Sequence, residues 1–512
     1  MAIDQNRGPG RPPKLQSGED IVPIEKFSTG LKRGAYLNPV PFDAFYEYNN
    51  VVPFAGSGYR KRDGVTAITA TNLAWDIANT PAELYEWQSD SGTWYKIFRV
   101  EKKIYSWDGT TLATVHTYGT TPNQVNFEKY RALLIICADN AAPLQWAGTG
   151  AAAALTGAPT GNWPFCAVFR NRLFLGQKTT NFLRLRYSDA DVASSWPAAS
   201  ELNISRPGNM TGLVMAHDRL YIFSEHEIHA LIGDSTSWIL RPIISGGHYF
   251  LGKTTCQSPV NTPYGIVVAQ ATKLVAFDGT QFVAIGKNGP VWPPQYYYDV
   301  ESSASAGFVF NYVYHDNKLY FSYYNSGYPA TSRVLVYDYD TGIWRTMSLD
   351  GITNGLFASF FGSQQDGVLY TMAGTQATIS LCSFAKDSNG HTYNDTLHDS
   401  SVNDIVDTIK TGFLTVSTRF NVKKLVLDYT AYVNSAFTFY VDVYIDNNYS
   451  SIAKTLSFSI PATTSFSRNQ ISERIELECD SVALGFRSTN DKAVIINNGQ
   501  LYIQRKEGRY AT

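Results

Sequence analysis

Charge is scarce in this chain of 512 residues: Asp, Glu, Lys and Arg make up only 17% of it. The signs nearly balance, with 42 basic against 44 acidic residues and a formal net charge of −2. That excludes a sequence-independent grip on nucleic acid by the whole surface, which needs an excess of Lys and Arg against the phosphates. Cysteine is scarce as well. The five present (Cys137, Cys166, Cys256, Cys382 and Cys479) are scattered without close pairs. This excludes a dense disulfide framework or a Cys-x-x-Cys metal site, and reads as buried thiols of a reducing compartment. Long apolar runs are missing. One of the longest, 132–138 (ALLIICA), is strand-sized, well short of the ~20 residues that cross a bilayer. The N-terminus lacks the apolar core of a secretion signal. The expectation is a chain made in the cytosol without a membrane span, so that sequons such as Asn203-Ile-Ser205 carry no meaning.

Recognisable catalytic motifs are also missing. The chain has no Gly-x-Ser-x-Gly elbow, no Walker loop and no zincin helix motif. The small-residue run 147–154 has the wrong glycine pattern for a phosphate cradle, and no Lys-Ser/Thr follows it. The sequence therefore points to no enzyme, no catalytic residue, no cofactor and no metal.

What is abundant is aromatic: 14% of the chain, with 33 Tyr and 28 Phe. That favours β-structure with wide packed faces. The clearest reading is at 211–244. Four short apolar runs there, 213–216, 220–223, 228–232 and 238–244, each end in a turn rich in His, Asp, Ser or Gly. Runs of this kind are strands. They are apolar nearly throughout, which suits strands covered on both faces. A four-stranded meander with both faces covered is the unit of a β-propeller.

Hairpins of the same type recur over 66–390. Lys103-Ile-Tyr-Ser-Trp-Asp-Gly-Thr110 is echoed by Lys273-Leu-Val-Ala-Phe-Asp-Gly-Thr280, and Asp90-Ser-Gly-Thr-Trp94 by Asp340-Thr-Gly-Ile-Trp344. A turn followed by Leu and an aromatic appears at Asn171-Arg-Leu-Phe174, Asp218-Arg-Leu-Tyr221, Asn317-Lys-Leu-Tyr320 and Gly367-Val-Leu-Tyr370. Such degenerate repetition implies radial packing, roughly six to eight blades at about 40–45 residues each. N-terminal strands are expected to close the ring. Residues 1–20, with Gly8-Pro9-Gly10-Arg11-Pro12-Pro13-Lys14 at their centre, form a polar arm. Residues 391–410 read as a linker with one helical turn near 402–409. From 411 the strands lengthen and some alternate, as in 437–445 (FTFYVDVYI). The expected architecture is thus all-β: an arm at 1–20, a β-propeller-like domain of about six to eight blades at 21–390, a linker at 391–410 and a C-terminal β-sandwich at 411–512.

Several residues invite a chemical reading, each with a structural rival. Arg60-Lys61-Arg62 suits an anion site or a solvated hairpin tip. His226 and His229, three apart in a strand, face opposite sides and do not share a metal. Asp189-Ala-Asp191 suits a calcium loop or an Asp-capped turn. Tyr296–298 and the Tyr-rich run 320–324 suit a sugar groove or a packed protein interface. The two Asp-x-Gly-x-Trp turns are expected to place Trp between blades.

Four stretches, taken in order, resemble the tail nozzle proteins of short-tailed bacteriophages (tail tubular protein B and the related tail accessory, hub or stabilisation proteins). They are Phe27-Ser-Thr-Gly-Leu31 leading to Asn49-Asn50 and Arg60-Lys-Arg-Asp-Gly64; Leu183-Arg-Leu-Arg-Tyr-Ser188 with Asp189-Ala-Asp-Val-Ala-Ser-Ser-Trp196; 212–233; and Lys423-Lys-Leu-Val-Leu427 with Gly508-Arg509. The likeness lies in order and texture over nearly the whole chain. The chain departs from many relatives in its Gly-Pro-Gly-Arg arm and at Asp63, where Pro is more usual. The resemblance implies a virion structural protein: a homo-hexameric tube docked on the head-to-tail adaptor protein below the portal. Such a tube would meet a tail fibre, tailspike, needle or plug protein, retain the genome, and pass double-stranded DNA without sequence-specific binding. It also implies a place in the virion tail after assembly in the bacterial host cytoplasm. Arg7, Arg11 and Lys14 of the arm are the residues expected to contact the tail partner. The competing expectation is a carbohydrate-binding or glycan-cleaving β-propeller, which would need acidic pairs or an Arg cluster converging on the central channel.

Overall fold

The structure is a computed structural model. It describes residues 19–24, 45–53, 59–62, 64–69, 73–75, 83–178, 183–204, 209–224, 227–234, 237–245, 259–270, 273–285, 308–325, 333–349, 356–375, 377–384, 394–396, 402–404, 407–411, 413–431, 436–462, 467–488 and 494–505. Every regular element among them is a β-strand. The chain divides into two compact units, one of residues 63–405 and one of 1–62 together with 406–512.

The larger unit is a seven-bladed β-propeller. Blades 1 to 5 are four-stranded antiparallel sheets at 84–117, 125–154, 165–204, 210–245 and 260–284, and blade 6 is a meander of four antiparallel strands at 308–347. Blade 7 takes three strands from the end of the ring, Leu356–Gly362, Leu369–Gly374 and Thr378–Ser383. Its outer position is filled from the start of the ring: Thr66–Ala67 and Leu73–Ala74 both pair with Thr378–Ser383. The first strand of each blade runs beside the first strand of the next from blade 2 round to blade 7, and from blade 7 to blade 1, which makes the first strands the innermost. Closure by N-terminal strands is thus as the sequence implied. Blade 4 (Met210–Ala216, Arg219–Ser224, Glu227–Asp234 and Ser237–Ser245) reproduces the four apolar runs nearly residue for residue.

The cores lie between blades, which explains why the strands are apolar on both faces. The repeated Leu-aromatic pair makes the logic visible. Leu220 packs with Leu185 and Phe169 of blade 3, and the next residue, Tyr221, packs with Phe277 of blade 5. Leu173 and Phe174, Leu319 and Tyr320, and Leu369 and Tyr370 likewise divide between the two interfaces that flank their blade. Successive residues of a strand point to opposite faces. Each such pair therefore anchors one blade to both neighbours, at about 1.5–3 kcal/mol per fully buried large apolar side chain. The turn before the pair is tight. Arg170-Asn171, His217-Asp218 and Asp316-Asn317 all hold positive φ, the geometry of a two-residue hairpin that follows strand twist.

The other hairpin repeats resolve differently. Asp108 and Asp278 occupy equivalent turns, between the third and fourth strands of blades 1 and 5. Each accepts through Oδ1 the N–H and hydroxyl of the Thr two residues on and the N–H of the residue after it. The Asp-x-Gly-x-Trp pair is not equivalent. Asp90–Trp94 joins the first two strands of blade 1, and Asp340–Trp344 the last two of blade 6. Trp344 packs in an interblade core, whereas Trp94 is half-buried.

The second unit draws on both ends of the chain. Glu19–Ile24 pairs with residues 499–504 of Val494–Arg505, and Phe45–Asn49 pairs with Asp407–Thr411. The hairpin Val51–Pro53 with Tyr59–Lys61 reaches Val494–Arg505 through Tyr59 and Ile496. Two strands are long, Leu414–Ala431 at 18 residues and Ser467–Ser488 at 22. The second pairs first with Leu414–Ala431, then with Asp407–Thr411 on one edge and Phe437–Ile445 on the other. This revises three expectations. The propeller spans 63–405 rather than 21–390, because strands before 63 find their partners near the C-terminus. Glu19 and Asp20, expected in the arm, already lie in a strand. The expected linker carries strands Asn394–Thr396, Val402–Asp404 and Asp407–Thr411 and no helical turn among its described residues. The β-branched residues near 402–409 fit a ladder once a partner edge is available, a non-local condition that periodicity does not register.

Candidate functional site

The first and third connections of a four-stranded meander fall on the same face of the propeller, here termed the turn face. Its interblade ties are polar. Arg131 pairs with Asp191 between blades 2 and 3, and Arg170 with Asp218 at 2.5 Å between blades 3 and 4. Exposed pairs of this kind contribute about 0–1 kcal/mol each. Between blades 5 and 6 the tie is aromatic instead.

That aromatic cluster is built from turns. Tyr264 sits at the tip between Val260–Thr262 and Gly265–Gln270, where the Thr262 hydroxyl accepts the Tyr264 N–H at 3.2 Å and donates to the Gly265 carbonyl at 2.7 Å. Tyr339 follows Arg333–Asp338, and Tyr314 precedes the Asp316-Asn317 turn. The Tyr264 and Tyr339 rings stack at 4.1 Å between centroids and 8° between planes. Tyr337 meets Tyr339 edge-on at 4.9 Å, and Tyr314 stands edge-on to both stacked rings. Asn317 organises the hydroxyls. Its Oδ1 accepts from Tyr264 at 2.9 Å and from Tyr314 at 3.1 Å, while its amide donates to Asp340. Burial pushes the phenols of Tyr314, Tyr337 and Tyr339 up, so all three stay protonated at neutral pH. Tyr264 itself is 49% exposed, the most exposed large aromatic among the described residues of this face. The sequence reading missed this cluster because its members are scattered from 264 to 340. The local signal was a Pro-Tyr-Gly turn at 263–265 and the Tyr-Asp-Tyr-Asp run at 337–340.

The residues singled out in the sequence fare as follows. Arg7, Arg11 and Lys14 lie outside the described residues, as do Tyr296–298, His226, Phe27–Leu31 and Gly508-Arg509. Arg62 is buried at 2% exposure and donates through Nε to Asn50 Oδ1 at 2.9 Å, so it belongs neither to an anion site nor to a solvated tip. Asn50 holds a φ of +56° there. His229 is buried beside Glu227, Nε2 to Oε2 at 3.6 Å, on the same side of their strand. Asp189 and Asp191 diverge: Asp189 accepts from Ser195 at 2.6 Å, and Asp191 pairs with Arg131. The segment is a capped turn, and no trio of His, Cys, Asp or Glu fit to hold a metal occurs among the described residues. Tyr320 is a core residue stacked on Phe360 at 5.7 Å, not a groove wall. Cys137, Cys166, Cys382 and Cys479 are buried free thiols.

No family model matches the chain, and no curated protein matches it. Among solved structures it is similar to two of BBS1N in complex with ARL6DN, one soaked with mercury and one with lead. Their TM-scores are 0.39 and 0.40 at 11% identity, over 64% of this chain and 99% of theirs. The seven-blade assignment rests on the strand pairing of this chain itself.

Proposed function

We propose that the chain is a virion structural protein, the tail nozzle or hub of a short-tailed bacteriophage. It forms a homo-hexameric tube below the portal–adaptor complex that retains the genome and conducts DNA at ejection. The reading is carried by the ordered series of four stretches that resemble that family. Their described residues fall on Phe45–Asn49 and the Tyr59–Lys61 strand, on the third strand of blade 3 and its following loop, on blade 4, and on Leu414–Ala431, while Phe27–Leu31 and Gly508-Arg509 lie outside the described residues.

Two physical features support it. Among the described residues the turn face is acidic, with Asp108, Asp218, Asp234, Asp278, Asp316 and Asp340 set against Arg131, Arg170 and Lys318. Such a face repels duplex phosphates, as a conduit wall should. The ring is also closed by a backbone ladder, since its first strands complete its last blade; closure removes the frayed edge that load would open.

Electron microscopy of the purified chain, alone and mixed with the tail's adaptor complex, tests the proposal. Six-fold rings with a bore wide enough for duplex DNA are expected, either alone or templated on the adaptor. Monomers under both conditions would overturn it. Removal of residues 1–18, which spares the paired strand Glu19–Ile24, is expected to abolish docking on the adaptor; normal docking without them would show that the arm is not the tether.

A further inference from the structure

The stacked tyrosines between blades 5 and 6 form a surface that the nozzle reading does not use. Tyr264 is half exposed although one ring face is covered by Tyr339 at 4.1 Å. The opposite face of the ring is therefore the open one. The ring is held in place from two sides, by the stack beneath it and by its hydroxyl on Asn317 at 2.9 Å. A flat apolar face fixed in this way loses little conformational entropy when something settles on it.

The polar surroundings narrow the choice of ligand. Asp340 is exposed, and one of its carboxylate oxygens accepts from the Asn317 amide. Its other oxygen takes no hydrogen bond from any described residue, which leaves an acceptor at the edge of the platform. Among the described residues the adjacent cation is Lys318, and it is turned onto Asp316, with Nζ 2.9 Å from Oδ2. The site thus combines an apolar plane with a free acceptor and a local excess of negative charge. Phosphates and acidic sugars are repelled by it. A neutral hexose satisfies it: the C–H face of the ring covers the phenol, and its hydroxyls donate to the carboxylate.

We propose that Tyr264, backed by Tyr339 and flanked by Asp340, is a binding platform for a neutral pyranose residue of a glycan. The proposal does not rest on the nozzle reading, and its test is blind to oligomeric state.

Saturation-transfer NMR on the full chain supplies that test. The probes are the methyl pyranosides of glucose, galactose, mannose and N-acetylglucosamine, with their trisaccharides, at millimolar concentration. Transfer to ring C–H protons of at least one probe is expected. Tyr264→Ala should weaken that binding about tenfold, equivalent to roughly 1.4 kcal/mol, in protein whose circular-dichroism spectrum at the binding temperature remains that of the wild type. Tyr264→Trp should retain it, and Asp340→Ala should weaken it several-fold. Met215→Ala, at an exposed position in blade 4, should leave it unchanged. Silence from every saccharide overturns the proposal, as does wild-type binding by Tyr264→Ala. So does a result in which only a basic, proline-containing peptide occupies the platform. Should Tyr264→Ala fail to fold, wild-type binding by Asp340→Ala overturns the acceptor role and the proposal with it.

Discussion

Lys96 in blade 1 places its ammonium 3.3 Å from the hydroxyl of Ser363 in blade 7, inside a buried polar network that locks the ring where it closes. The ammonium also meets Glu86 at 2.5 Å and Gln365 at 3.1 Å. Glu86 in turn accepts from the Ser363 hydroxyl at 2.6 Å and the Gln364 N–H at 2.9 Å. Both charged side chains are almost fully buried. A buried pair is hard to break from one side, because the survivor keeps its charge without a partner. Glu86→Ala should therefore cost about 3–5 kcal/mol, while joint replacement by Lys96→Met and Glu86→Leu should recover most of the loss. Urea denaturation measures both; equal midpoints for wild type and Glu86→Ala would remove the lock from the account.

The Asp278 cap has a distinctive acid dependence. Hydrogen bonds from the Gln281 N–H, the Thr280 hydroxyl and the Thr280 N–H hold its carboxyl down at about 2. A depressed carboxylate stabilises the fold above its unfolded titration range, and that contribution disappears as the pH falls through the folded value. The difference in denaturation midpoint between wild type and Asp278→Ala should stay constant from neutral pH to about pH 5 and close as the pH falls toward about 2. A difference that persists at pH 2 would mean the charge is not what the turn uses.

Glu128 has the opposite sign. It lies in the innermost strand of blade 2, Val125–Tyr130, opposite Ile135 and near Tyr85 and Cys166. Burial pushes its carboxyl from 4.5 up to about 8. The folded chain then holds a proton that the unfolded chain releases, so stability falls as the pH rises between those two values. Glu128→Gln should raise the melting temperature at pH 8 and leave it unchanged at pH 4. A uniform shift at both values would point to packing rather than ionisation.

Gly157 is fixed by backbone approach. Its φ is +69°, and a Cβ there would lie 2.1 Å from the carbonyl oxygen of Ser194. A side chain can enter only by moving one of the two backbones. Gly157→Ala should destabilise the propeller by about 1–3 kcal/mol, a strained backbone being the cause. Thermal denaturation checks it, and a neutral effect would show that the two loops separate freely.

Much of the propeller was legible because its signals are local. Blade 4 could be read because each strand ends in a turn residue suited to it, and because faces covered by neighbouring blades leave apolar runs unbroken. The turn-Leu-aromatic repeat was legible for the same reason: Leu and the aromatic residue serve two interfaces in every blade that carries them. The equivalence of Asp108 with Asp278 was legible; the apparent equivalence of Asp90 with Asp340 was not real, since one hairpin sequence suits two different connections.

Composition and hairpin chemistry by themselves determined an all-β chain, a propeller, and a range of about six to eight blades, because turn preference and strand alternation act over a few residues. Partner choice over long separations was decided only by the tertiary structure. Glu19–Ile24 sits beside residues 499–504, and Thr66–Ala67 completes a sheet that begins at Leu356. Strand edges present much the same N–H and C=O groups whatever their sequence, so pairing across hundreds of residues is settled by which faces must be buried together. The same holds for Tyr264 and Tyr339, which become a platform only when two blades bring them within 4.1 Å.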